Sequence, residues 1–382
     1  MTFLQSIYLK CLIGFYYAVN GVILPYFPIL FQKQGFHYWQ IGVLLAMGAV
    51  VNTLTQSLWG YFCDKLQTVK KIMLMQLFIS AVLSLLIFRF HSFLGLLIAL
   101  TVFFTFYRPL PSLIDTLIVN AVKDNPSQYG SYRMFGSLGF LVSVFCSGFV
   151  LNSLGVNNGP YLVTALIALT FLCALPVGDA KYICTPPSFQ KFMALAKKPQ
   201  IFNFLIVATL LGTTQVANDN FISIHLQNLG GSIRETGLAW AIGVSSEVLA
   251  FIVLSRLRMN LDSLVFLRYI ACLYGLRWLL MAFISNIKVI LVIQVMHGIC
   301  FALFISMVMQ HLLKIVPDEF RATGQGLFYM SVFGVGGIMG MTGGGLLLDH
   351  FGAKSFYLTC LFFSIFALVG FSRQVKAEAK GI

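Results

Sequence analysis

Long apolar runs alternate with short gaps that hold most of the polar residues, glycines and prolines of the chain. The runs fall at about residues 7–31, 39–63, 72–90, 92–122, 132–154 and 160–177, and again at about 201–227, 237–255, 263–286, 288–314, 322–348 and 354–372. Each run approaches or exceeds the roughly 20 residues that a helix needs to cross a bilayer. The pattern predicts twelve transmembrane helices in two sets of six.

The longest polar stretch, residues 178–200, lies between the two sets. We therefore predict an all-α polytopic membrane protein with an N-terminal six-helix bundle at 1–177, a cytoplasmic linker at 178–200 and a C-terminal six-helix bundle at 201–382. The two bundles are expected to surround a central cavity. After twelve crossings, the 382 residues leave room only for short loops and tails.

The composition excludes a soluble enzyme and indicates the expected partners. Hydrophobic residues make up 59% of the chain and charged residues 10%, whereas globular domains carry about 25% charged residues. The net charge of +13 comes from lysines and arginines dispersed among the gaps, so we expect lipid and no nucleic acid as a partner. The eight cysteines form no CxxC pair or metal spacing. We expect a monomer with no metal and no cofactor.

The basic residues predict the orientation in the membrane, since cytoplasmic loops carry an excess of lysine and arginine. With both termini inside, fifteen basic residues are cytoplasmic (Lys65, Lys70, Lys71, Lys123, Lys181, Lys191, Lys197, Lys198, Arg256, Arg258, Lys314, Arg321, Arg373, Lys376, Lys380) and five are external (Lys33, Arg89, Arg234, Lys288, Lys354). The opposite orientation would invert this ratio. We therefore predict a multi-pass protein of the cytoplasmic membrane with both termini in the cytoplasm.

The two halves of the chain repeat a short pattern at equivalent places. Gly148-x-x-x-Asn152-x-x-Gly155 ends the fifth run, and Gly345-x-x-x-Asp349-x-x-Gly352 ends the eleventh. The offset is 345 − 148 = 197 residues, close to half of the chain. Parallel repeats of this kind are typical of secondary transporters.

The gap after the second run reads Gly60-Tyr-Phe-Cys-Asp64-Lys65-Leu-Gln67. It resembles the signature between the second and third helices of the major facilitator superfamily of transporters. The resemblance implies that Gly60 lets two helices approach closely, and that Asp64 and Lys65 belong to a gating loop that rearranges during transport. The usual glycine after Asp-Lys-Leu is Gln67 here, so the match is partial.

Several ionisable residues interrupt the apolar runs. Such residues are costly in a membrane and tend to face a partner or a cavity. The set comprises Arg108, Asp115, Arg133, Asp219, Glu247, Arg277 and His297. A set with both signs in both halves suits a polar central cavity, although each residue taken alone is also compatible with a structural role.

The segment from Asp115 to Phe140 resembles the lactose permease and phenylpropionate permease branches of the superfamily. These branches pair an acid on the fourth helix with an arginine 18 positions later on the fifth, and here 133 − 115 = 18. The resemblance implies that Asp115 and Arg133 bind a polar solute. The structural alternative is a local hydrogen bond for Asp115 and an interfacial position for Arg133. The tryptophan that stacks the sugar in the lactose permease is Phe140 here, as in the phenylpropionate branch.

The second half resembles the phenylpropionate permease branch more closely than the lactose permease branch. The matching residues are Gly237-x-x-Trp240-x-x-Gly243-Val244-x-x-Glu247, then Arg277-Trp278 and His297. The resemblance implies that Arg277 and His297 contribute to solute binding, although His297 fits the role of a hydrogen-bond organiser or a proton relay equally well. The proton-carrying glutamate of the lactose permease, one turn after the histidine, is Cys300 here.

The proton carrier must therefore be a different carboxylate. Glu247 is the first candidate, since in this pattern it is the carboxylate expected near Arg277 and His297. Asp219 is the second candidate. A permanent ion pair between Glu247 and Arg277 is the structural alternative.

These observations together predict a secondary active transporter and no enzymatic activity. We expect proton-coupled uptake of a small organic solute by alternating access, with the proton gradient as energy source because the sequence has no P-loop. Aromatic acids, nucleosides and sugars all stay open as solutes. Two alternatives also stay open: a proton-coupled exporter of amphipathic compounds, and a membrane sensor that binds a ligand without transporting it.

Overall fold

The computed structural model describes residues 3–123, 125, 128–180, 195–256 and 262–379. Within these ranges the chain forms helices and turns, and no strand. The central part of the predicted linker, residues 181–194, lies outside them. The fold is therefore all-α over the described chain, as predicted.

The first half contains seven α-helices among the described residues. They are α1 (Phe3–Lys33), α2 (Tyr38–Leu66), α3 (Lys70–Leu86), α4 (Phe93–Tyr107), α5 (Leu110–Ala121), α6 (Tyr129–Leu154) and α7 (Gly159–Ala174). Helices α4 and α5 lie within one apolar run and are separated only by Arg108 and Pro109. Proline cannot donate the backbone hydrogen bond that would continue a helix, which accounts for the break.

The second half is organised in the same way. Its helices are α8 (Pro199–Asn228), α9 (Ile233–Arg256), α10 (Ser263–Phe283), α11 (Ile287–Ile315), α12 (Arg321–Tyr329), a π-helix (Met330–Val335) and α13 (Gly336–Ala379). Helix α13 is kinked at Gly352, whose φ of 73° lies in the left-handed region. Glycine adopts this conformation without steric cost.

The described helices account for the predicted number of membrane crossings. Ten segments are long and apolar enough to span a bilayer. One of them, Thr323–Glu378, has 56 residues and is divided by the kink at Gly352, which makes two crossings. Helix α3, with 17 residues, adds the last, so that 10 + 1 + 1 = 12. The prediction of a twelve-helix membrane protein is confirmed.

The chain divides into two compact units. Unit 1 consists of Met1–Phe36, Val43–Pro186 and Ser232–Leu238, and unit 2 consists of His37–Gly42, Pro187–Gly231 and Ala239–Ile382. The division between the halves falls inside the predicted linker. In addition, the start of α2 groups with unit 2 and the start of α9 groups with unit 1.

Each unit has an apolar exterior and an interior that includes polar side chains. In unit 1, α1 packs against α6 and α7, and α3 packs against α4 and α7. In unit 2, α13 packs against α8 and α10. Large apolar residues such as Leu94 and Val292 are 65% and 69% exposed, whereas Gln76 and Asn218 are fully buried. This distribution is the one expected of helices whose outer faces contact lipid.

The repeated glycine pattern has the same structural role in both halves. Gly155 ends α6 with a φ of 89°, as Gly352 interrupts α13 with a φ of 73°. A Cβ atom on Gly148 would lie 3.1 Å from the Cα of Gly237, in the first turns of α9. A Cβ atom on Gly345 would lie 2.8 Å from the Cα of Trp39, in the first turn of α2. The first glycine of each copy thus lets the start of another helix approach closely.

Candidate functional site

The densest group of polar side chains in the described part of unit 2 surrounds Arg277. We name it the Arg277 cluster: Gln215 and Asp219 on α8, Arg277 on α10, and Gln294 and His297 on α11. The Arg277 side chain is 0% exposed. Its Nη1 atom donates to Oε1 of Gln215 at 3.0 Å, and its Nη2 atom lies 3.1 Å from Nδ1 of His297 and 3.5 Å from Oε1 of Gln294. Three helices are therefore joined through one buried guanidinium.

Gln215 determines how the cluster is oriented. Because its Oε1 atom accepts from Arg277, its Nε2 atom must face the other way. Nε2 lies 2.9 Å from Oδ1 of Asp219 and 3.0 Å from Nδ1 of His297. Nδ1 of His297 thus has two donors, Gln215 and Arg277, pointing at it. We therefore assign Nδ1 as an acceptor and the imidazole as neutral, with its proton on Nε2.

Asp219 lies at the edge of the cluster. Its Oδ1 atom is 3.5 Å from Nδ1 of His297, and its side chain is 20% exposed. No direct ion pair between Asp219 and Arg277 occurs within 4.0 Å in the described structure. The charges of these two residues are instead connected through Gln215, which accepts from Arg277 and donates to Asp219.

Glu247 is placed differently from what the sequence suggested. It lies on α9, half-buried, and its backbone nitrogen closely approaches Gly298 on α11, where a Cβ atom would clash. Its carboxylate makes no hydrogen bond or ion pair to the described side chains of Arg277 or His297. The structure therefore brings Asp219, and not Glu247, to the histidine, and the proposed role of Glu247 stays a prediction.

A small cavity adjoins His297. It has a volume of about 10 Å³ and is lined by Ile222, Ala239, Trp240, Gly243, Gln294 and His297. This volume suits roughly one water molecule. The ring of Trp240 meets that of His297 edge-on at 6.1 Å between centroids, and its Nε1 atom donates to the Ser223 hydroxyl at 3.1 Å. Trp240 therefore forms a wall of the space beside the histidine.

The predicted pair Asp115 and Arg133 lies in unit 1, and the two side chains are near each other without direct pairing. The Tyr129 hydroxyl donates to Oδ1 of Asp115 at 3.3 Å. The Arg133 guanidinium lies over the ring of Tyr17, 4.3 Å from its centroid. Within the described residues of unit 1, no oxygen of Asp115 comes within 4.0 Å of Arg133. Phe140 lies on the same helix as Arg133, seven residues further on, and is half-buried.

The sequence placed the predicted gating residues in a loop, but Gly60, Asp64 and Lys65 lie in the last turns of α2, because the helix continues to Leu66. Gly60 is buried, Asp64 is half-buried and Lys65 is exposed. Gln67, at the glycine position of the signature that this segment resembles, has a φ of 50°, in the left-handed region. Its Nε2 atom donates to the Asp64 carbonyl at 2.6 Å. A glycine would adopt this backbone conformation without the steric cost that Gln67 bears.

The start of α3 is held by a carboxylate that the sequence did not single out. Asp179 accepts hydrogen bonds from the Thr68 hydroxyl at 2.5 Å and from the backbone amides of Val69, Lys70 and Ala180 at 3.0, 2.9 and 2.8 Å. Burial alone would raise the pKa of Asp179, but these four hydrogen bonds outweigh it and lower the pKa below its ordinary value. Asp179 is therefore a charged cap of α3.

Sequence reasoning also missed Gln215, Tyr17 and Tyr129. Gln215 precedes Asp219 by four residues, and Tyr129 precedes Arg133 by four, so each pair occupies one face of a helix. That spacing was the available signal. Tyr17 carried none, because its contact with Arg133 joins residues on different helices.

Comparisons with known proteins agree with the fold. The model of the MFS_1 like family matches residues 6–359. The chain is 26% identical to an uncharacterized transporter YwbF of Bacillus subtilis (strain 168), over 98% of this chain and 93% of that protein. It is also 26% identical to a maltose permease of Geobacillus stearothermophilus, over 92% and 89% of the two chains.

Two further similarities extend the comparison. A probable 3-phenylpropionic acid transporter of Escherichia coli (strain K12) is 25% identical over 74% of this chain and 75% of its own. The crystal structure of the nucleoside transporter NupG superposes with a TM-score of 0.83 at 18% identity, covering 97% of this chain and 98% of that one. This chain belongs to the MFS_1 like family and has the fold of a multi-pass major facilitator transporter.

Proposed function

We propose that the protein is a proton-coupled symporter that imports a small organic solute by alternating access. The observation that carries the proposal is the position of Asp219 beside a histidine nitrogen that already has two donors. Nδ1 of His297 has one lone pair, and both Arg277 and Gln215 direct an N–H group at it. A proton on Asp219, 3.5 Å away, would bring a third donor to the same atom.

Protonation of Asp219 would therefore change the partners within the cluster. It would also remove the negative charge that compensates the buried Arg277 through Gln215. An uncompensated charge in a membrane interior is costly, so the protonated cluster favours a different arrangement. Because its members lie on α8, α10 and α11, an exchange of partners is coupled to movement of these helices within unit 2.

This proposal ranks Asp219 before Glu247 as the proton carrier. Asp219 contacts the histidine, whereas Glu247 lies on the neighbouring helix next to Gly298. Glu247 is kept as the second candidate.

We assign solute binding to Asp115, Arg133, Phe140 and His297. The Arg277 guanidinium is wholly enclosed by protein, so we propose that it acts by positioning His297. We propose that Asp64 and Lys65, in the last turns of α2 after Gly60, act as the gating residues that rearrange during the transport cycle. We further propose a monomer in the cytoplasmic membrane with both termini inside, on the basis of the basic residues in the loops.

The test uses proteoliposomes with an imposed pH gradient and a panel of labelled maltose, uridine and 3-phenylpropionate. The expected result is gradient-driven accumulation of one solute by the unaltered protein. Asp219→Asn should abolish accumulation but retain counterflow, which exchanges labelled for unlabelled solute without net proton movement. Glu247→Gln is the matched control and should retain both activities.

Other outcomes would contradict the proposal in distinct ways. If Asp219→Asn accumulates solute and Glu247→Gln does not, Glu247 and not Asp219 is the proton carrier. Proton-driven loss of preloaded solute, without uptake, would establish an exporter. Binding of a solute without counterflow would establish a sensor. An Asp115→Asn, Arg133→Ala double variant that transports normally would remove these residues from the solute site.

A further inference from the structure

Arg108 carries a positive charge at the middle of a membrane span. The span Phe93–Ala121 extends 108 − 93 = 15 residues before it and 121 − 108 = 13 residues after it. At about 1.5 Å per residue, the Arg108 backbone lies roughly 20 Å along the helix from either end. Since the hydrocarbon core is about 30 Å thick, this side chain is too deep to reach either interface.

The described part of unit 1 provides no carboxylate for this arginine. No acidic oxygen lies within 4.0 Å of the guanidinium, and its buried Nε atom has no hydrogen-bond partner. The guanidinium lies 5.0 Å from the centroid of the Phe104 ring and is near enough to Tyr16 and Tyr107 to interact with them electrostatically. Away from the helix ends, the charges of unit 1 are Lys10, Arg108 and Arg133 against Asp115 alone. The interior of unit 1 therefore has an excess of positive charge.

The surrounding backbone is adapted to the guanidinium. A Cβ atom on Gly48 of α2 would lie 2.9 Å from Nε of Arg108, so any larger residue there would displace the arginine. Pro109 cannot donate to the Thr105 carbonyl as a helical residue would, and the Trp59 indole donates to that carbonyl instead, at 2.9 Å. The protein thus compensates the helix break while leaving the charge without a partner.

We propose that Arg108 binds the negatively charged group of the transported solute, and that this solute is a small organic monoanion, a carboxylate. An unpaired guanidinium at the depth where transporters bind their substrates matches one carboxylate, which it can bind through two hydrogen bonds. This inference rests on the proposed transport function and selects one of its open solute classes.

The experiment compares each carboxylate with its neutral amide. Purified protein is tested for binding 3-phenylpropionate, benzoate and lactate and their three amides by thermal shift, and for counterflow of the labelled acids in proteoliposomes. We expect at least one acid to bind and exchange while its amide does not. Arg108→Gln should raise the half-saturating concentration of that acid at least tenfold and abolish the preference over the amide. Arg108→Lys should retain the preference in weaker form.

Arg89→Gln is the matched control, since Arg89 is exposed in the turn before α4, and it should behave as the unaltered protein. Removing an unpaired charge from mid-span should leave the melting temperature of unliganded Arg108→Gln unchanged or raised. A lowered melting temperature with equal loss of binding in both Arg108 variants would indicate a packing role and overturn the inference. Transport of maltose or uridine without binding of any acid would overturn it too, while leaving the proposed transport function intact.

Discussion

The two halves of the chain satisfy the same helix ends by different means. The first turn of α2 is capped by Asp349, which accepts from the amides of Tyr38 and Trp39 at 2.9 and 2.7 Å. The first turn of α3 is capped by Asp179. These partners are separated by about 310 and 110 residues along the sequence. The caps of α2 and α3 therefore include carboxylates from distant parts of the chain, although Gln40 also accepts locally from the amide of His37 at the start of α2.

The corresponding helices of the second half cap themselves. At the start of α9, Glu235 accepts from the amide of Ser232 at 2.7 Å, and the Ser232 hydroxyl accepts from the amide of Glu235 at 3.2 Å. This reciprocal pair is a capping box. At the start of α10, Asp262 accepts from the amide of Leu264 at 3.0 Å.

All four helices need acceptors for their first backbone amides, but these acceptors come from nearby residues in one half and include distant residues in the other. Every helix leaves its first backbone amides without a partner within the helix, and a carboxylate satisfies them favourably. A local cap stabilises only its own helix. A distant cap also joins two segments, and it breaks whenever those segments separate. The first half thus couples the ends of α2 and α3 to tertiary structure.

Removal of the Asp179 cap should have the largest effect on stability. Asp179→Ala loses four hydrogen bonds, and we expect a loss of roughly 2 to 3 kcal/mol in the free energy of unfolding. The local cap variant Asp262→Ala should lose about 1 kcal/mol. Thermal unfolding in detergent measures both. Equal losses would show that the distant cap contributes no more than the local one.

The Asp179 cap should also depend on pH in one direction. Because the folded-state pKa of Asp179 is lowered, its contribution is complete above the unfolded pKa of about 3.9. It is lost as the pH falls from there through the lower folded value. Asp179→Asn should lack this acid-dependent loss. An identical acid profile in the variant would contradict a charged cap.

Removal of the Asp349 cap should have an intermediate effect. Asp349→Ala leaves two amides at the start of α2 without their acceptor, which should cost about 1 kcal/mol. Asn152 occupies the equivalent place in the other copy of the repeat and is exposed, so Asn152→Ala should be close to neutral. Cysteine labelling at Trp39→Cys should proceed faster when Asp349 is also replaced. Equal labelling rates would show that the Asp349 cap does not hold the start of α2 in place.

The smallest effect is expected at Gln67, in the turn that leads to the Asp179 cap. Gln67→Gly relieves a left-handed conformation that costs roughly 1 to 2 kcal/mol. It also loses the hydrogen bond to the Asp64 carbonyl, about 1 kcal/mol. We expect a net gain of a few tenths of a kcal/mol, measured as a higher melting temperature. A lower melting temperature would mean that the glutamine hydrogen bond dominates.

Much of the fold could be predicted because each crossing is specified locally. A run of apolar residues long enough for the bilayer predicts a helix whatever its neighbours are, and glycine or proline marks its ends. The kink at Gly352 and the break at Pro109 follow from residue type in the same way. The distant caps could not be predicted in this way, since the sequence around Asp179 or Asp349 does not indicate which helix each residue caps.

The site could be predicted only in part, for the same reason. The spacing of Asp115 and Arg133 predicts that both residues lie close together in the first half of the chain. It does not indicate that Arg133 stacks on Tyr17. The resemblance to the phenylpropionate permease branch favours Glu247 over Asp219 as the proton carrier. The contact that distinguishes the two acids depends on how α8 and α11 pack, which is a tertiary property. Gln215, at the centre of the cluster, is neutral, so a search for ionisable residues within the apolar runs does not find it.

The cap on α2 has a consequence for the time course of biosynthesis. At a synthesis rate of about 5 to 20 residues per second, the roughly 310 residues between Tyr38 and Asp349 take about 15 to 60 seconds to make. Throughout that interval the amides of Tyr38 and Trp39 lack their acceptor, and only the local acceptor Gln40 is present, whereas the start of α9 has its whole capping box within three residues. The Asp349 cap at the start of α2 can therefore form only when the ribosome has synthesised almost the whole chain.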